Sequence, residues 1–226
     1  MQYILDTADV NFIKKAIALY PIEGVTTNPT IISKEKGDFK AIIKEIREVI
    51  GEDLMLHVQC LSLNAETMVK EALYIQELAG KNVYVKIPVI AEGIKAIKIL
   101  KQKNIKTTAT AIFTAQQALM AAIAGADYVA PYIDRIDNIS GDGPRVVSDI
   151  VKLFNINNIS TKVLAASFKN VEQVNKVCLA GAHSVTVNKD LFEKLIYHPY
   201  TDLSVEGFIR DWEEQYGKGK TTLEES

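Results

Sequence analysis

Short β-rich runs alternate with longer helical patterns along the chain, and the alternation occurs eight times. Strands that alternate with helices predict a parallel sheet, because a crossover helix must connect each strand to the next. Asp9 and Asn64 are predicted to cap the helices after the first and third runs, and Gly80 to end the latter helix. The eight runs are YILDT (3–7), GVTTN (24–28), LMLHVQ (54–59), VYVKIP (83–88), TTATAIF (107–113), YVAPYI (128–133), KVLAAS (162–167) and SVTVN (184–188).

Two architectures with a parallel sheet compete for this pattern, a closed barrel and an open, doubly wound sheet. Eight units in 226 residues suit a (β/α)8 barrel, which typically has about 250 residues. A doubly wound sheet usually carries a glycine-rich turn after its first strand. Here that turn is DTADV, which contains no glycine. The sequence therefore predicts an α/β fold that consists of a single (β/α)8 TIM barrel.

The predicted barrel domain covers residues 1–200, and a further helix follows it over 201–216. Leu203, Phe208, Ile209 and Trp212 can form one apolar face of this helix. The helix is surplus to the barrel, so it either packs on its own subunit or reaches a neighbour. The polar segment 217–226 is predicted to be a flexible tail.

Composition and charge exclude several classes of function. The net charge is −2 and the lysines are spread along the chain, which argues against a nucleic-acid partner. No apolar run is long enough to cross a membrane, and MQYILDTADV is not a signal peptide because an acid stands at its sixth position. Cys60 and Cys178 form no CxxC motif, and His57, His183 and His198 lack the spacing of a zinc site. We therefore expect a cytoplasmic protein without a bound metal.

Lys86 lies in the middle of the apolar run VYVKIPV, where a lysine is unusual. Burial disfavours the charged form of an amine, so such a lysine can be neutral near pH 7 and can attack a carbonyl to form an imine. The imine withdraws electrons and lets a neighbouring carbon–carbon bond break to an enamine. The structural alternative is a lysine that extends its amine to solvent or pairs with a carboxylate such as Asp6.

Polar residues recur near the carboxyl ends of the predicted strands, which is the end where barrels carry their chemistry. Each of them has a structural explanation when it is taken alone, as a helix cap, a turn residue or a surface ion pair. Together they provide a nucleophile, a carboxylate, amides, hydroxyls and cations at one end of the barrel. They are Asp6, Thr26, Thr27, Asn28, Gln59, Lys86, Thr110, Tyr132, Arg135, Ser167 and Lys169.

Six motifs in this order resemble the transaldolase family, from residue 3 to about residue 215: LDT, GVTTNPTII, VKIPV, TATAIF, APYIDRID and AASFKN. Within the family, the chain is similar to the short branch that includes fructose-6-phosphate aldolase. The resemblance implies a (β/α)8 barrel that uses a Schiff-base lysine and no cofactor, and that acts on small sugar phosphates. It also implies rings of five subunits that pair into a homodecamer, in which the terminal helix reaches a neighbour.

The resemblance assigns roles to four residues around the imine. Lys86 matches the imine-forming lysine of the family, and Asp6 matches the carboxylate that assists proton transfers. Thr26 and Asn28 match residues that contact the bound dihydroxyacetone unit.

Three positions, Gln59, Tyr132 and Ala130, distinguish the aldolase branch of the family from the transaldolases. Gln59 and Thr110 match the pair that holds a catalytic water, and Tyr132 resembles the acid/base hydroxyl of the aldolase. Transaldolases resemble one another in having glutamate, phenylalanine and serine where this chain has Gln59, Tyr132 and Ala130. A phenol can protonate the enamine and release free dihydroxyacetone, whereas a phenylalanine cannot.

Arg135, Ser167 and Lys169 match the phosphate-binding positions of the family, and Asp134 places a carboxylate beside that site. The resemblance therefore implies a class I aldolase that cleaves fructose 6-phosphate reversibly to dihydroxyacetone and glyceraldehyde 3-phosphate. A transaldolase that transfers the dihydroxyacetone unit to erythrose 4-phosphate is the first alternative. A non-catalytic binding protein for sugar phosphates is the second, although binding alone does not need a desolvated amine.

Overall fold

The computed structural model confirms the predicted fold: eight parallel strands close into a barrel in chain order. The structure describes residues 1–223. Every predicted strand is present, and the observed ends lie within two residues of the predicted ones. The strands are β1 (Gln2–Asp6), β2 (Ile22–Thr26), β3 (Met55–Gln59), β4 (Val83–Pro88), β5 (Thr107–Ile112), β6 (Tyr128–Pro131), β7 (Lys162–Ala165) and β8 (Ser184–Val187).

Helices connect the strands, and several begin where the sequence indicates. The side chain of Asp9 accepts a hydrogen bond from the backbone N–H of Phe12, and that of Asn64 accepts from Thr67. Gly80 ends its helix at φ 72°, a conformation that favours glycine. The helices are α1 (Val10–Leu19), α2 (Pro29–Ile32), α3 (Phe39–Ile50), α4 (Ala65–Ala79), α5 (Ala91–Gln102), α6 (Ala115–Ala124), α7 (Ile133–Asp137), α8 (Gly143–Ile156), α9 (Val171–Leu179), α10 (Lys189–Phe192) and α11 (Pro199–Tyr216).

Two short helices at the carboxyl end of the barrel, α2 and α7, were not predicted from the sequence. They have four and five residues, which is too short for a helical period to be visible. The side chain of Asn28 caps α2, with Pro29 in its first turn. Helix α7 starts directly after Tyr132 and carries Arg135. Helix α7 therefore carries one residue of the predicted site, and α2 begins directly after another.

The lower part of the barrel interior, towards the amino ends of the strands, is apolar and aromatic. A cluster of buried residues forms it, and Tyr84 packs against this cluster. Above the cluster, the ring of His57 stacks on that of Tyr84, with 4.8 Å between the centroids. The clustered residues are Ile4, Met55, Tyr128 and Leu164.

The chain divides into two compact units, Met1–Phe192 and the segment that starts at Glu193. The first contains the whole barrel, and the second contains α11, on which the rings of Trp212 and Tyr216 lie 4.3 Å apart. Leu203, Phe208 and Ile209 are exposed. The division of the barrel domain, helix and tail at residues 200 and 216 stays a prediction, and the last three residues of that tail lie outside the described part. No helix in the described part is long and apolar enough to cross a membrane.

Candidate active site

A cavity of about 480 Å³ opens at the carboxyl ends of the strands. Eight of the ten residues to which the family resemblance assigns a role lie in its wall. They come from strand ends and loops all around the barrel, so the closed topology brings together residues that are far apart in the chain. The eight residues are Asp6, Asn28, Gln59, Lys86, Tyr132, Arg135, Ser167 and Lys169.

Lys86 projects from β4 into this cavity and is only 6% exposed. Its Nζ donates a hydrogen bond of 2.7 Å to the backbone carbonyl of Thr27. Burial lowers the pKa of Lys86, and the nearby charge of Asp6 opposes this effect in part. An amine in this environment loses its proton more readily than a solvated lysine, which is the condition for attack on a carbonyl.

Asp6 ends β1 and provides a carboxylate to the cavity. Burial raises the pKa of Asp6, whereas the charge of Lys86 and a hydrogen bond from Thr26 act in the opposite direction. The hydroxyl of Thr26 donates to Asp6 Oδ1 at 2.7 Å and lies 2.6 Å from the hydroxyl of Thr186. Thr26 is fully buried and absent from the cavity wall, so it orients Asp6 instead of facing the cavity.

Thr110 and Tyr132 form a hydroxyl pair with 2.9 Å between Oγ1 and Oη. Thr110 is fully buried and does not line the cavity, whereas Tyr132 does. The register between β5 and β6 shifts between Ala109 and Ile112, which is the mark of a β-bulge. Ala111, inside this bulge, has a φ of 58°, a left-handed conformation that costs an alanine about 1–2 kcal/mol.

Gln59 lies in the cavity wall at the end of β3. Its Oε1 is buried and has no hydrogen-bond partner among the described residues. A buried amide oxygen without a partner is costly, so this atom is ready to accept a hydrogen bond from a group that enters the cavity.

Three polar residues gather at one side of the cavity, Arg135 on α7 and Ser167 and Lys169 in the loop after β7. The guanidinium of Arg135 lies 5.0 Å from the centroid of the Tyr132 ring. Ser167 has a φ of 63°, a second left-handed residue in the cavity wall. Two cations and a hydroxyl at this spot suit a phosphate group.

Asp134 is buried next to Arg135 in sequence, yet its carboxylate is engaged elsewhere. One of its oxygens accepts from Asn138 at 3.0 Å and the other from Gln173 at 3.4 Å. Within residues 1–223, Asp134 and Arg135 form no ion pair, so the carboxylate does not neutralise the guanidinium.

Asn28 has a structural function in addition to its place in the wall. Its Oδ1 accepts from the backbone N–H of Ile31 at 2.9 Å and so caps α2. Two further polar residues of the wall on and directly after β8, Thr186 and Asn188, were not predicted. The motif SVTVN carries a signal for both, since Thr186 alternates with apolar neighbours and Asn188 follows the strand as other site residues do. In the described part of the chain, no group of three or more His, Cys, Asp or Glu could hold a metal ion.

The matches to known proteins extend over both the barrel and α11. A family model described as Transaldolase/Fructose-6-phosphate aldolase matches residues 3–223. A relative named probable transaldolase from Kosmotoga olearia is 47% identical over 97% of this chain and 99% of its own length. A relative named probable fructose-6-phosphate aldolase from Streptococcus pneumoniae is 42% identical over 94% of this chain and 96% of its own.

One solved structure shows the same fold at low sequence identity. It is a thiamine phosphate pyrophosphorylase from Pyrococcus furiosus, with a TM-score of 0.58 and 16% identity. The similarity covers 83% of this chain and 84% of the other. At this identity it is a likeness of barrel architecture alone.

Proposed function

Because the chain belongs to the transaldolase/fructose-6-phosphate aldolase family, we propose that it is a class I aldolase acting on fructose 6-phosphate. It cleaves this sugar reversibly to dihydroxyacetone and glyceraldehyde 3-phosphate. The observation that carries the proposal is the phenol of Tyr132, which lines the same cavity as Lys86 and is held 2.9 Å from the hydroxyl of Thr110. A phenol in that position can exchange a proton with a bound intermediate.

The first step is imine formation. The neutral amine of Lys86 attacks the ketone at carbon 2 of the sugar, and the resulting carbinolamine loses water to give a protonated imine. The carboxyl group of Asp6 carries protons to and from the departing water. Its raised pKa supports this role, because a carboxyl group that is protonated more readily can act as an acid as well as a base.

The second step breaks the bond between carbons 3 and 4. A base removes the proton of the carbon-4 hydroxyl, the bond electrons move onto the iminium, and an enamine remains on Lys86. We assign the base to a water held by Gln59 and by the hydroxyl pair of Thr110 and Tyr132, in which Tyr132 faces the cavity. The unpartnered Oε1 of Gln59 supports this assignment. Glyceraldehyde 3-phosphate leaves, with Arg135, Ser167 and Lys169 as its phosphate ligands. Asn28 serves the dihydroxyacetone end, and the buried Thr26 acts on that end through Asp6.

The last step distinguishes an aldolase from a transaldolase. In an aldolase the enamine gains a proton at carbon, from Tyr132 directly or through the held water, and hydrolysis of the imine frees dihydroxyacetone. In a transaldolase the enamine waits for a second aldehyde. Transfer to erythrose 4-phosphate is the second candidate function, because relatives at 42–47% identity are named probable transaldolase.

The deciding experiment incubates the purified protein with fructose 6-phosphate alone and assays both products. Steady release of dihydroxyacetone and glyceraldehyde 3-phosphate without an acceptor supports the aldolase. Release of glyceraldehyde 3-phosphate only after erythrose 4-phosphate is added supports the transaldolase. Borohydride added with the substrate should leave a covalent adduct on Lys86 in both cases, whereas a non-catalytic binding protein would gain none.

We further propose that the enzyme is a cytoplasmic homodecamer. The free thiols of Cys60 and Cys178 suit a reducing compartment. Exposed Leu203 and Phe208 on α11 give that helix apolar surface for a neighbouring subunit. Deletion of residues 201–226 should reduce the particle size, and light scattering that still gives a full-size particle would contradict the role of the helix.

A further inference from the structure

The amide side chain of Gln173, near the start of α9, makes hydrogen bonds to two other segments of the site. Its Oε1 accepts from the backbone N–H of Lys169 at 2.8 Å. Its Nε2 donates to Asp137 Oδ2 at 2.8 Å and to Asp134 Oδ1 at 3.4 Å. One carboxamide therefore joins the loop after β7 to α7, and both of its ends are occupied.

The two joined segments carry the cations of the cavity wall. Arg135 belongs to α7, between the two aspartates, and Lys169 is the residue whose N–H reaches Gln173. At the base of the loop, the backbone N–H of Asp134 already donates to the carbonyl of Ser167 at 2.8 Å. Beyond that point, towards Lys169, the hydrogen bonds of Gln173 connect the loop to α7.

Gln173 also occupies the two carboxylates that lie beside the cations. Asp137 has its other oxygen engaged by the backbone N–H of Gly143 at 2.8 Å. Asp134 has its other oxygen engaged by Asn138 at 3.0 Å. A carboxylate that loses a donor can accept from another; Arg135 stands between the two aspartates in the sequence, and Lys169 lies in the loop that Gln173 joins to them. Loss of the amide would therefore loosen the loop and draw the cations towards the aspartates.

We propose that Gln173 is a positioning residue for the phosphate end of the substrate. It holds Arg135 and Lys169 on either side of one anion site and keeps Asp134 and Asp137 out of it. The proposal rests on the proposed function in so far as the anion is the phosphate of a sugar. It concerns binding of the phosphate, and it predicts no change in the chemistry at Lys86.

The test compares Gln173→Met, which keeps the length of the side chain but removes both hydrogen-bonding ends, with Glu172→Gln. Glu172 is the exposed neighbour on the same helix, and its side chain forms a surface ion pair with Lys176. Gln173→Glu is the second variant, because it keeps an oxygen for the N–H of Lys169 and removes the donor to the aspartates. Thermal unfolding first establishes that each variant is folded.

Two ligands are then titrated in the presence of borohydride, with the adduct on Lys86 as the signal. For Gln173→Met, the half-saturating concentration of fructose 6-phosphate should rise about tenfold, the loss expected when charge-assisted hydrogen bonds no longer hold a site. The half-saturating concentration of dihydroxyacetone, which has no phosphate, should stay within about twofold. Glu172→Gln should behave as the wild type, and Gln173→Glu as Gln173→Met. Equal losses for both ligands, or none, would overturn the proposal.

Inorganic phosphate separates this proposal from the proposed function. Its dissociation constant is measured by calorimetry, and it should rise about tenfold in Gln173→Met. If the wild type binds phosphate but gains no adduct from fructose 6-phosphate, the proposed function is wrong. The difference in phosphate affinity between the wild type and Gln173→Met still tests the role of Gln173. If the wild type binds no phosphate, or if Gln173→Met binds it equally well, the role of Gln173 is wrong.

Discussion

The two ends of the barrel interior each bury a basic side chain, and they treat it differently. At the carboxyl end, Lys86 lies beside a cavity of about 480 Å³ and donates to the carbonyl of Thr27. Deeper in the barrel, His57 is sealed: its Nδ1 lies 2.8 Å from the hydroxyl of Thr108, and its ring stacks on Tyr84. Burial lowers the pKa of both, that of His57 to about 3.

The comparison shows that a lowered pKa does not by itself make a catalytic group. Burial lowers the pKa of both residues, so the pKa alone would mark both Lys86 and His57 as candidate catalytic residues. Lys86 differs in having free volume for a substrate and a carboxylate, Asp6, that shares the cavity. His57 has aromatic rings and a hydroxyl around it, and it does not line the cavity. Access to the cavity and the neighbouring groups distinguish the proposed nucleophile, Lys86, from the buried His57.

Replacing the amine of Lys86 should have the largest effect. Lys86→Met should lower cleavage of fructose 6-phosphate by about 10³-fold or more, since no imine can form. It should change the free energy of unfolding little, because the gain from removing a buried amine offsets the loss of its hydrogen bond to Thr27 and of its charge beside Asp6. Product assays, mass spectrometry after borohydride and denaturant unfolding measure these three quantities.

The matched control for Lys86→Met is Lys106→Met at the opposite end of the barrel. Lys106 is exposed, and its amine lies 5.0 Å from the centroid of the Tyr84 ring. Its loss should leave both the adduct and the activity intact. An adduct that survives in Lys86→Met would remove Lys86 from the mechanism.

Removing the phenol of Tyr132 should have the next largest effect. Tyr132→Phe should lower release of free dihydroxyacetone from fructose 6-phosphate by about 10²-fold, the usual range for loss of a general acid. Adduct formation with borohydride should persist, because Lys86 is untouched. The ratio of product release to adduct yield measures the difference.

Tyr128→Phe serves as the comparison from the lower end of the barrel. Its hydroxyl donates to Gln2 Oε1 at 3.3 Å and is remote from the cavity wall. It should cost some stability and no dihydroxyacetone release. If Tyr132→Phe releases dihydroxyacetone as fast as Tyr128→Phe does, the phenol of Tyr132 is not the proton donor, and another group protonates the enamine.

Replacing His57 should change the stability of the protein but not its catalytic activity. Its pKa of about 3 in the folded protein lies below the ordinary 6.5, so the unfolded chain binds a proton that the folded protein excludes. Lowering the pH through this window therefore favours unfolding, by up to about 1.4 kcal/mol per pH unit. When urea unfolding is followed from pH 6.5 downwards, the free energy of unfolding should fall more steeply with pH for the wild type than for His57→Gln. Parallel slopes, or a large loss of activity at neutral pH, would contradict the structural role.

Much of the fold could be predicted because its signals are local and repeated. Each strand is short and β-rich, each helix is periodic, and the carboxyl end of a strand can be located to within two residues. The cavity wall followed from that, since parallel strands bring their carboxyl ends to one face. Helices α2 and α7 were missed because four or five residues show no period.

The residues that act through others were harder to predict. Thr186 contacts Thr26, 160 residues away in the chain, and Gln173 contacts Asp137 across 36 residues. Nothing in the local sequence indicates these pairs, which depend on the closure of the barrel and on the loops. Ala111 carries a left-handed backbone, and an alanine gives no sign of that conformation in a sequence.

The two ends of the barrel also differ in backbone strain, and this difference provides the prediction with the smallest expected effect. At the amino end, the left-handed residues that precede β4, β5 and β7 are Asn82, Asn104 and Asn158, and asparagine tolerates this conformation. In the cavity wall at the carboxyl end they are Ala111 and Ser167, which tolerate it less well. Strain of this kind persists where the surrounding structure imposes it, and it concentrates at functional sites.

Ala111→Gly should therefore raise the free energy of unfolding by up to about 1.6 kcal/mol. Relief of a left-handed alanine gains about 1–2 kcal/mol, and the greater freedom of glycine in the unfolded chain offsets about 0.4–1 kcal/mol of it. The same change should lower kcat by about threefold, because the bulge that aims Thr110 at Tyr132 becomes less rigid. Asn104→Gly should change stability less and leave kcat unaltered. If Ala111→Gly is less stable than the wild type, the strain lies elsewhere; if its kcat is unchanged, the bulge does not position the hydroxyl pair.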